Sequence, residues 1–260
     1  MHNPPRNSRA FRSAVTTLLF LGILAAGCAS VPEDRQGERD EGDPFEPFNR
    51  TMHNFNDSLD RTIVRPVAVA YRDNVPRPAR TGVSNFLGNL TYPVVIVNSA
   101  LQGKFSQSGR GTGRFLINTT IGVAGIFDPA SRMGLEKANE DFGQTLGVWG
   151  AGPGPYLVWP FTGPSTVRDT TGSGVDSYFD PTVQAIPIPE RFAVYLMRGL
   201  DARVGLLEID HILEQEYDPY IAIREAYLQR REYLIHDGET PDVDYWDEEW
   251  DDDDDDGWDW

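Results

Sequence analysis

The chain has 260 residues, 40 % of them hydrophobic and 24 % charged, enough for one sizeable packed domain or two small ones. Its formal charge of -17 is unevenly placed: the first twenty-seven residues carry three Arg and no acid, and Asp242 to Trp260 carry twelve acids and no Lys or Arg. No basic patch rises above the background, which excludes an electrostatic footprint for nucleic acid.

In chain order, Arg6, Arg9 and Arg12 precede the apolar run VTTLLFLGILAAG, which is too short to span a bilayer stably and ends in small residues. Residues 1–27 therefore read as a signal peptide. The only cysteine follows at once, and LAAGC resembles a bacterial lipobox, with Ala25 where Leu is usual. Cleavage before Cys28 leaves an N-terminal cysteine to carry acyl chains. Ala29 and Ser30, with no Asp beside the cysteine, imply sorting to the outer membrane under the rule for such lipoproteins. One acyl chain binds only marginally, so a durable anchor needs several. The rest of 28–42 is polar and free of aromatic residues, and reads as a flexible tether.

A folded body over 43–237 is expected to be mainly α. Asp43 is a candidate N-cap with Pro44 at the first helical position. The helix that follows sets Phe45, Phe48, Met52, Phe55, Leu59 and Ile63 in one stripe, with Asn49 and Asn56 along its edge. Further helices are expected at 65–74, 78–89, 94–102, 110–121 and 165–178. Two long ones close the body. The first presents Phe192, Leu196, Leu200, Val204 and Leu207; the second opens with Asp218-Pro219 and buries Tyr220, Ile223, Tyr227 and Leu234. No sustained alternation or Asn-Gly turn argues for strands. The acidic tail, 238–260, cannot form a core and is expected to be disordered.

Three stretches, 81–103, 115–127 and 142–167, contain no Asp, Glu, Lys or Arg. Gly and Pro interrupt the first and third, so neither is a transmembrane helix; uncharged irregular backbone at membrane depth is tolerated only when buried by protein or lining a cavity. A soluble core with a long glycine-rich loop is the other reading. Within the third stretch, Gly143 and Gly147 free the backbone while Phe142, Leu146 and Trp149 give it an apolar surface, which marks a candidate mobile loop.

Motifs for catalysis are missing from the sequence: HExxH, CxxC, GxSxG and a Walker loop do not occur, and GRGTGR fits none of them. Asp169 and Asp176, seven residues apart on one helical face, are expected on a solvated surface rather than as a catalytic pair. We expect no enzyme, no resident metal and no cofactor beyond covalent lipid on Cys28.

Five ordered blocks, DPFEPFNRTMHNFND, VRPVAVAYRDNVPRPARTGVSNFLGNLTYPVVIVNSALQG, GRFLINTTIGVAGIFD, FGQTLGVWGAGPGPYLVWPFTGPSTVRD and DPYIAIREAYLQRREY, resemble the MlaA (VacJ) lipoprotein family from about Asp43 to Asp237. The resemblance implies a helical ring in the periplasmic leaflet of the Gram-negative outer membrane, around an amphipathic channel. It also implies association with a trimeric porin and transfer of misplaced outer-leaflet phospholipid to a periplasmic carrier, MlaC. The acidic tail departs from the family pattern. A structural lipoprotein that organises porins without moving lipid is the alternative.

Such a channel has two tasks. Two acyl chains expose many methylenes, each worth about 0.8 kcal/mol, and must stay shielded; the headgroup needs polar partners, since an unpaired polar group in hydrocarbon costs several kcal/mol. Phe48, Met52 and Phe55 are therefore candidates for acyl-chain contact or core, and Asn49 and Asn56 for headgroup amides, unless those amides bond neighbouring backbone.

Overall fold

A computed structural model describes residues 43–238. The signal peptide, Cys28, the tether and the tail from 239 onward lie outside the described residues. The body is mainly α, as expected, with eleven α-helices and one two-stranded hairpin among the described residues.

The first helix, α1 (Glu46–Leu59), runs through a π-helical turn, Asp60–Val64, into α2 (Arg65–Asn74). The sequence places Pro66 where a continuing α-helix would need an N–H for the carbonyl of Thr62. The π turn absorbs that mismatch, with the Arg65 N–H bonding to Asp60 O, five residues back. Asp43 is not the N-cap itself. It lies two residues before the cap position, Phe45, its Oδ1 accepting from Phe45 N at 3.1 Å, and it is buried.

The longest helix, α3 (Arg77–Leu101), passes straight through Pro93, where two separate helices were expected. Its length is held by packing against α4 (Phe105–Thr120), and Thr91 Oγ1 donates to Gly88 O in the turn before the proline. Tertiary contact thus outweighs the local cost of the ring. Gly111 makes the α3–α4 approach close: a Cβ there would meet Ile96 and Tyr92 at 3.3 Å. A short α5 (Pro129–Arg132) is capped by Asp128, which accepts from Ser131 N.

The glycine-rich stretch holds the largest departure from expectation. Phe142–Val148 is a helix, α6, capped by Asp141, whose side chain accepts from Gln144 N. Strands β1 (Tyr156–Trp159) and β2 (Gly163–Thr166) then pair antiparallel, Tyr156 opposite Thr166 and Trp159 opposite Gly163. Ser165 and Thr166 are therefore strand residues, and the expected helix starts later, as α7 (Val167–Phe179), with Thr166 as its cap. The chain closes with α8 (Pro181–Ala185), α9 (Ile188–Leu206), α10 (Asp210–Leu213) and α11 (Pro219–Ile235), the last capped by Asp218 as its sequence suggested.

Glycine in and beside α6 permits close approach. A Cβ on Gly172 of α7 would come within 2.4 Å of Gly143 N, and one on Gly147 within 2.7 Å of Ile235 Cδ1. The two helices pack backbone to backbone. Of the glycine-rich stretch from Phe142 to Gly154, read as a candidate mobile loop, Phe142–Val148 is a helix wedged between α7 and α11, with Gly143 and its neighbours Gln144 and Thr145 buried.

Candidate functional site

What is buried is mostly polar. Among the described residues the fully buried side chains of largest volume are Arg114, Gln144, Asn49 and Asn98, while Phe105, Ile121, Phe127, Phe161, Ile188 and Phe192 are more than 60 % exposed. The compact apolar centre is small, made of Tyr156, Val158 and Tyr220 with Met52, Ile221, Tyr227 and Leu228 against it. A water-soluble core has the opposite distribution.

The stripe of α1 follows this inversion. Phe48 and Phe55 lie outward, each more than 40 % exposed, and only Met52 reaches the apolar centre. The buried member of the helix is Asn49. Its Nδ2 donates to Tyr156 O at 2.9 Å and to Asp43 Oδ1 at 3.0 Å, and its Oδ1 accepts from Val158 N at 2.8 Å. Asn56 repeats the pattern: Nδ2 donates to Trp159 O at 2.9 Å, and Oδ1 accepts from Phe161 N at 2.8 Å. Two amides thus pair with the open edge of β1 as another strand would. Seven helical residues advance about 10.5 Å and three strand residues about 10 Å, so the two repeats coincide. Both amides are bonded to distant backbone, and Asn56 also lines a cavity.

Charged groups inside are paired. Arg114 forms a fork on Asp128 at 2.9 and 3.0 Å and also donates to Leu135 O, tying α4 to the turn around α5. Burial works against ionisation of Asp128, but hydrogen bonds from Ser131, Asn118 and Arg114 hold its carboxyl well below the usual range. Arg231 of α11 holds Asp141 at 2.6 Å and Asp169 at 2.8 Å, while Tyr227 donates to Asp169 at 2.7 Å. Asp169 is buried and Asp176 half-buried, so the expected solvated face of α7 is an interior seam.

Along the same interior lies a series of cavities. One of about 410 Å³ opens between the π turn, the hairpin and the α9–α11 segment. Leu206, Ile209, Leu213 and Ile223 form one wall. The other is an alternating chain: Asp60 to Arg203 at 2.7 Å, Arg203 to Asp210 at 2.9 Å, Asp210 to Arg65 at 3.0 Å and Arg65 to Glu214 at 2.8 Å. His53 also lines it, with burial as the main cause that lowers its pKa. A second cavity, about 420 Å³, shares Pro164 with the first; a third, about 300 Å³, shares Asp141 and Ser173 with the second. The first is apolar on one side and charged on the other, the two-sidedness that an amphiphile requires. No His, Cys, Asp or Glu cluster among the described residues is arranged to hold a metal ion.

Of the sequence candidates, Met52 reaches the apolar centre and Asn56 lines the first cavity, but Phe48 and Phe55 are on the outside. Trp149 and Phe142 meet edge to face at 5.8 Å, Trp149 donating its Nε1–H to Leu101 O, and Leu146 is half-buried. Sequence reasoning missed the chain of Asp60, Arg203, Asp210, Arg65 and Glu214, in which Asp60 and Arg203 stand 143 residues apart and Arg65 and Glu214 149. Cys28 lies outside the described residues.

A small apolar centre, many exposed large apolar side chains and a cavity apolar on one side and charged on the other are features suited to contact with amphiphiles. The MlaA lipoprotein family profile matches residues 41–234. The chain is 45 % identical over 226 residues to the intermembrane phospholipid transport system lipoprotein MlaA of Escherichia coli, covering 85 % of this chain and 88 % of that one. It is 34 % identical to the protein of the same name from Haemophilus influenzae, over 86 % of this chain and 91 % of that one. A solved structure from work on the maintenance of bacterial outer membrane lipid asymmetry superposes with a TM-score of 0.69 at 40 % identity, covering 74 % of this chain and 98 % of the other. The chain belongs to the MlaA lipoprotein family.

Proposed function

We propose that this protein is the outer-membrane component of a phospholipid transport system that maintains lipid asymmetry. It is anchored through acylated Cys28 and seated in the periplasmic leaflet, its helices arranged around a path for misplaced outer-leaflet phospholipid. The lipid passes to a soluble periplasmic carrier of the MlaC type, and a trimeric porin holds the protein in place. The relatives' names support phospholipid transport.

The observation that carries the mechanism is the two-walled cavity of about 410 Å³ within a body that exposes many large apolar side chains. Phe105, Ile121, Phe127 and Phe192, exposed on several elements, suit acyl chains rather than water. No described helix is long and apolar enough to cross a membrane, which accords with seating in one leaflet. The Leu206–Ile223 wall shields the chains near the headgroup, and the Asp60–Glu214 chain supplies polar partners without an unpaired buried charge.

Filling that cavity tests the proposal. Ile223→Trp should let phospholipid accumulate in the outer leaflet while protein and porin levels stay normal. Normal asymmetry in a variant verified to be folded and filled would overturn this path and favour a structural lipoprotein that organises porins.

A further inference from the structure

We propose that the acidic stretch 239–260 docks back onto the basic face formed by α4, α5 and the segment running to Lys137, and covers the cavity at the end of α11. The partner of that face is a part of the same chain.

Residues 104–137 carry five Lys or Arg and two Asp or Glu, against the trend of a chain whose formal charge is -17. The chain has two lysines, Lys104 and Lys137, and both lie here. A cavity of about 280 Å³ adjoins them, lined among others by Arg110, Lys137, Tyr233, Asp237 and Gly238. Three carboxylates also line it, but Lys104 holds Glu140 at 3.1 Å and Asp237 as well, which leaves Glu136 alone against Arg110 and Lys137. Lys137 stands 3.4 Å from Asp128, a carboxylate that Arg114 already holds by a fork. Arg110 and Arg132 are exposed and form no ion pair among the described residues. Positive charge on this face is therefore in excess.

The chain delivers the complementary charge to the same place. Asp237 and Gly238 are both left-handed, at φ 55° and 92°, and Gly238 N donates to Tyr233 O at 2.9 Å, so α11 ends in a turn that leaves the chain at the cavity. The pair of Lys104 with Asp237 is already a contact of this kind, made one residue before the described chain stops. Residues 239–260 then carry thirteen Asp or Glu and no Lys or Arg. Arg110 and Lys137 line the cavity that Gly238 lines, so a few residues at roughly 3.3 Å each reach them. Exposed ion pairs are weak singly, but a short tether gives them a high effective concentration and they act together. Such docking needs no packed core, which a run of Asp cannot form. It makes a cover that screens this face from other anions and loosens with salt.

Zero-length carbodiimide coupling tests the docking, because it joins a lysine only to a carboxylate in contact with it. The acylated full-length protein is coupled in detergent, and the linked peptides are identified by mass spectrometry. The link between Lys104 and Glu140 serves as the reference for the fold. Lys137 should couple within one chain to acids of 242–259, about tenfold less in about 0.5 M salt than in about 0.05 M, as screening removes contacts between exposed charges. Combining Arg110→Glu with Arg132→Glu should cut that yield by a similar factor and leave the reference link unchanged. Lys137 coupled only to Asp128 or Glu136 while the reference link forms overturns the proposal, whether the face is then bare or held by lipid or another protein. Links that join two chains, or a yield unmoved by salt or by the double variant, overturn it as well.

Discussion

Along α1, Asn49 meets the hairpin with both donors and its acceptor matched by Asp43, Tyr156 and Val158; along α7, Asp176 meets α3 and α6 through the neutral donors Asn98 Nδ2 and Phe142 N, with no direct ion pair among the described residues. Both are short polar side chains joining elements distant in sequence. The first is neutral and fully satisfied, which makes it a structural joint. The second is a half-buried carboxylate beside a cavity, held by neutral donors, whose pKa burial raises above the ordinary value.

The largest effect should come from breaking the satisfied seam. Asn49→Leu leaves Tyr156 O and Val158 N without their partner in a fully buried place, while Asp43 Oδ1 keeps Phe45 N, and should destabilise by about 2–5 kcal/mol at 1–3 kcal/mol per orphaned group. Asn56→Ala, nearer solvent, should cost about 1 kcal/mol. Thermal unfolding followed by circular dichroism checks both. Equal losses at the two positions would show that burial does not set the cost.

A smaller effect tests the α6–α7 seam that carries Asp176's partner Phe142. Gly172→Ala puts a methyl 2.4 Å from Gly143 N, where backbone has to move, and should cost about 1–3 kcal/mol. Gly174→Ala, with open space around its would-be Cβ, should be neutral or slightly stabilising through helix propensity. An unchanged melting temperature in Gly172→Ala would mean that α6 gives way, as a mobile segment would.

Much of the scaffold is legible in the sequence because local rules settle it. Asn74 ends α2 where expected, before Val75-Pro76, and Asp218-Pro219 opens α11 through cap and proline chemistry. Glycine is ambiguous because its two physical uses look alike in a string: Gly143 and Gly172 permit close approach here, and the same residue type also frees a backbone to move. The hairpin escaped for another reason. Its strands are four residues long, too short for alternation to register, and the open edge of β1 is completed by side chains more than a hundred residues earlier. The stripe of α1 was found correctly, but its direction was not legible. Periodicity gives the angle of an apolar face and not whether that face turns to protein or away from it. Asp176 was set on a solvated surface because acid on a helix usually is; only its neighbours Asn98 and Phe142 reveal otherwise.

The finest distinction between the seams is in pH. Asp176 has a folded pKa raised above the ordinary 3.8, with burial as the main cause. The folded state then holds its proton more tightly than the unfolded chain, so its contribution to stability is present below 3.8 and is lost as pH rises through the folded value. Asp141 and Asp169 go the other way. Burial opposes their ionisation, yet Arg231 and hydrogen-bond donors lower their pKa values, so their contribution is present above 3.8 and is lost as pH falls below it. Asn49 does not titrate at all. Replacing Asp176 by Asn removes the group that titrates but also one accepted hydrogen bond, a loss that is independent of pH. The difference in stability between Asp176→Asn and wild type should therefore move in favour of the variant as pH rises from about 4 to about 7, on top of a constant offset. Asn49→Leu should instead follow wild type at a fixed distance across the same range. Melting curves of the three proteins in one detergent measure this directly. If Asp176→Asn also runs parallel to wild type, the carboxylate is ionised in the folded protein without penalty, and the contrast between the two seams disappears.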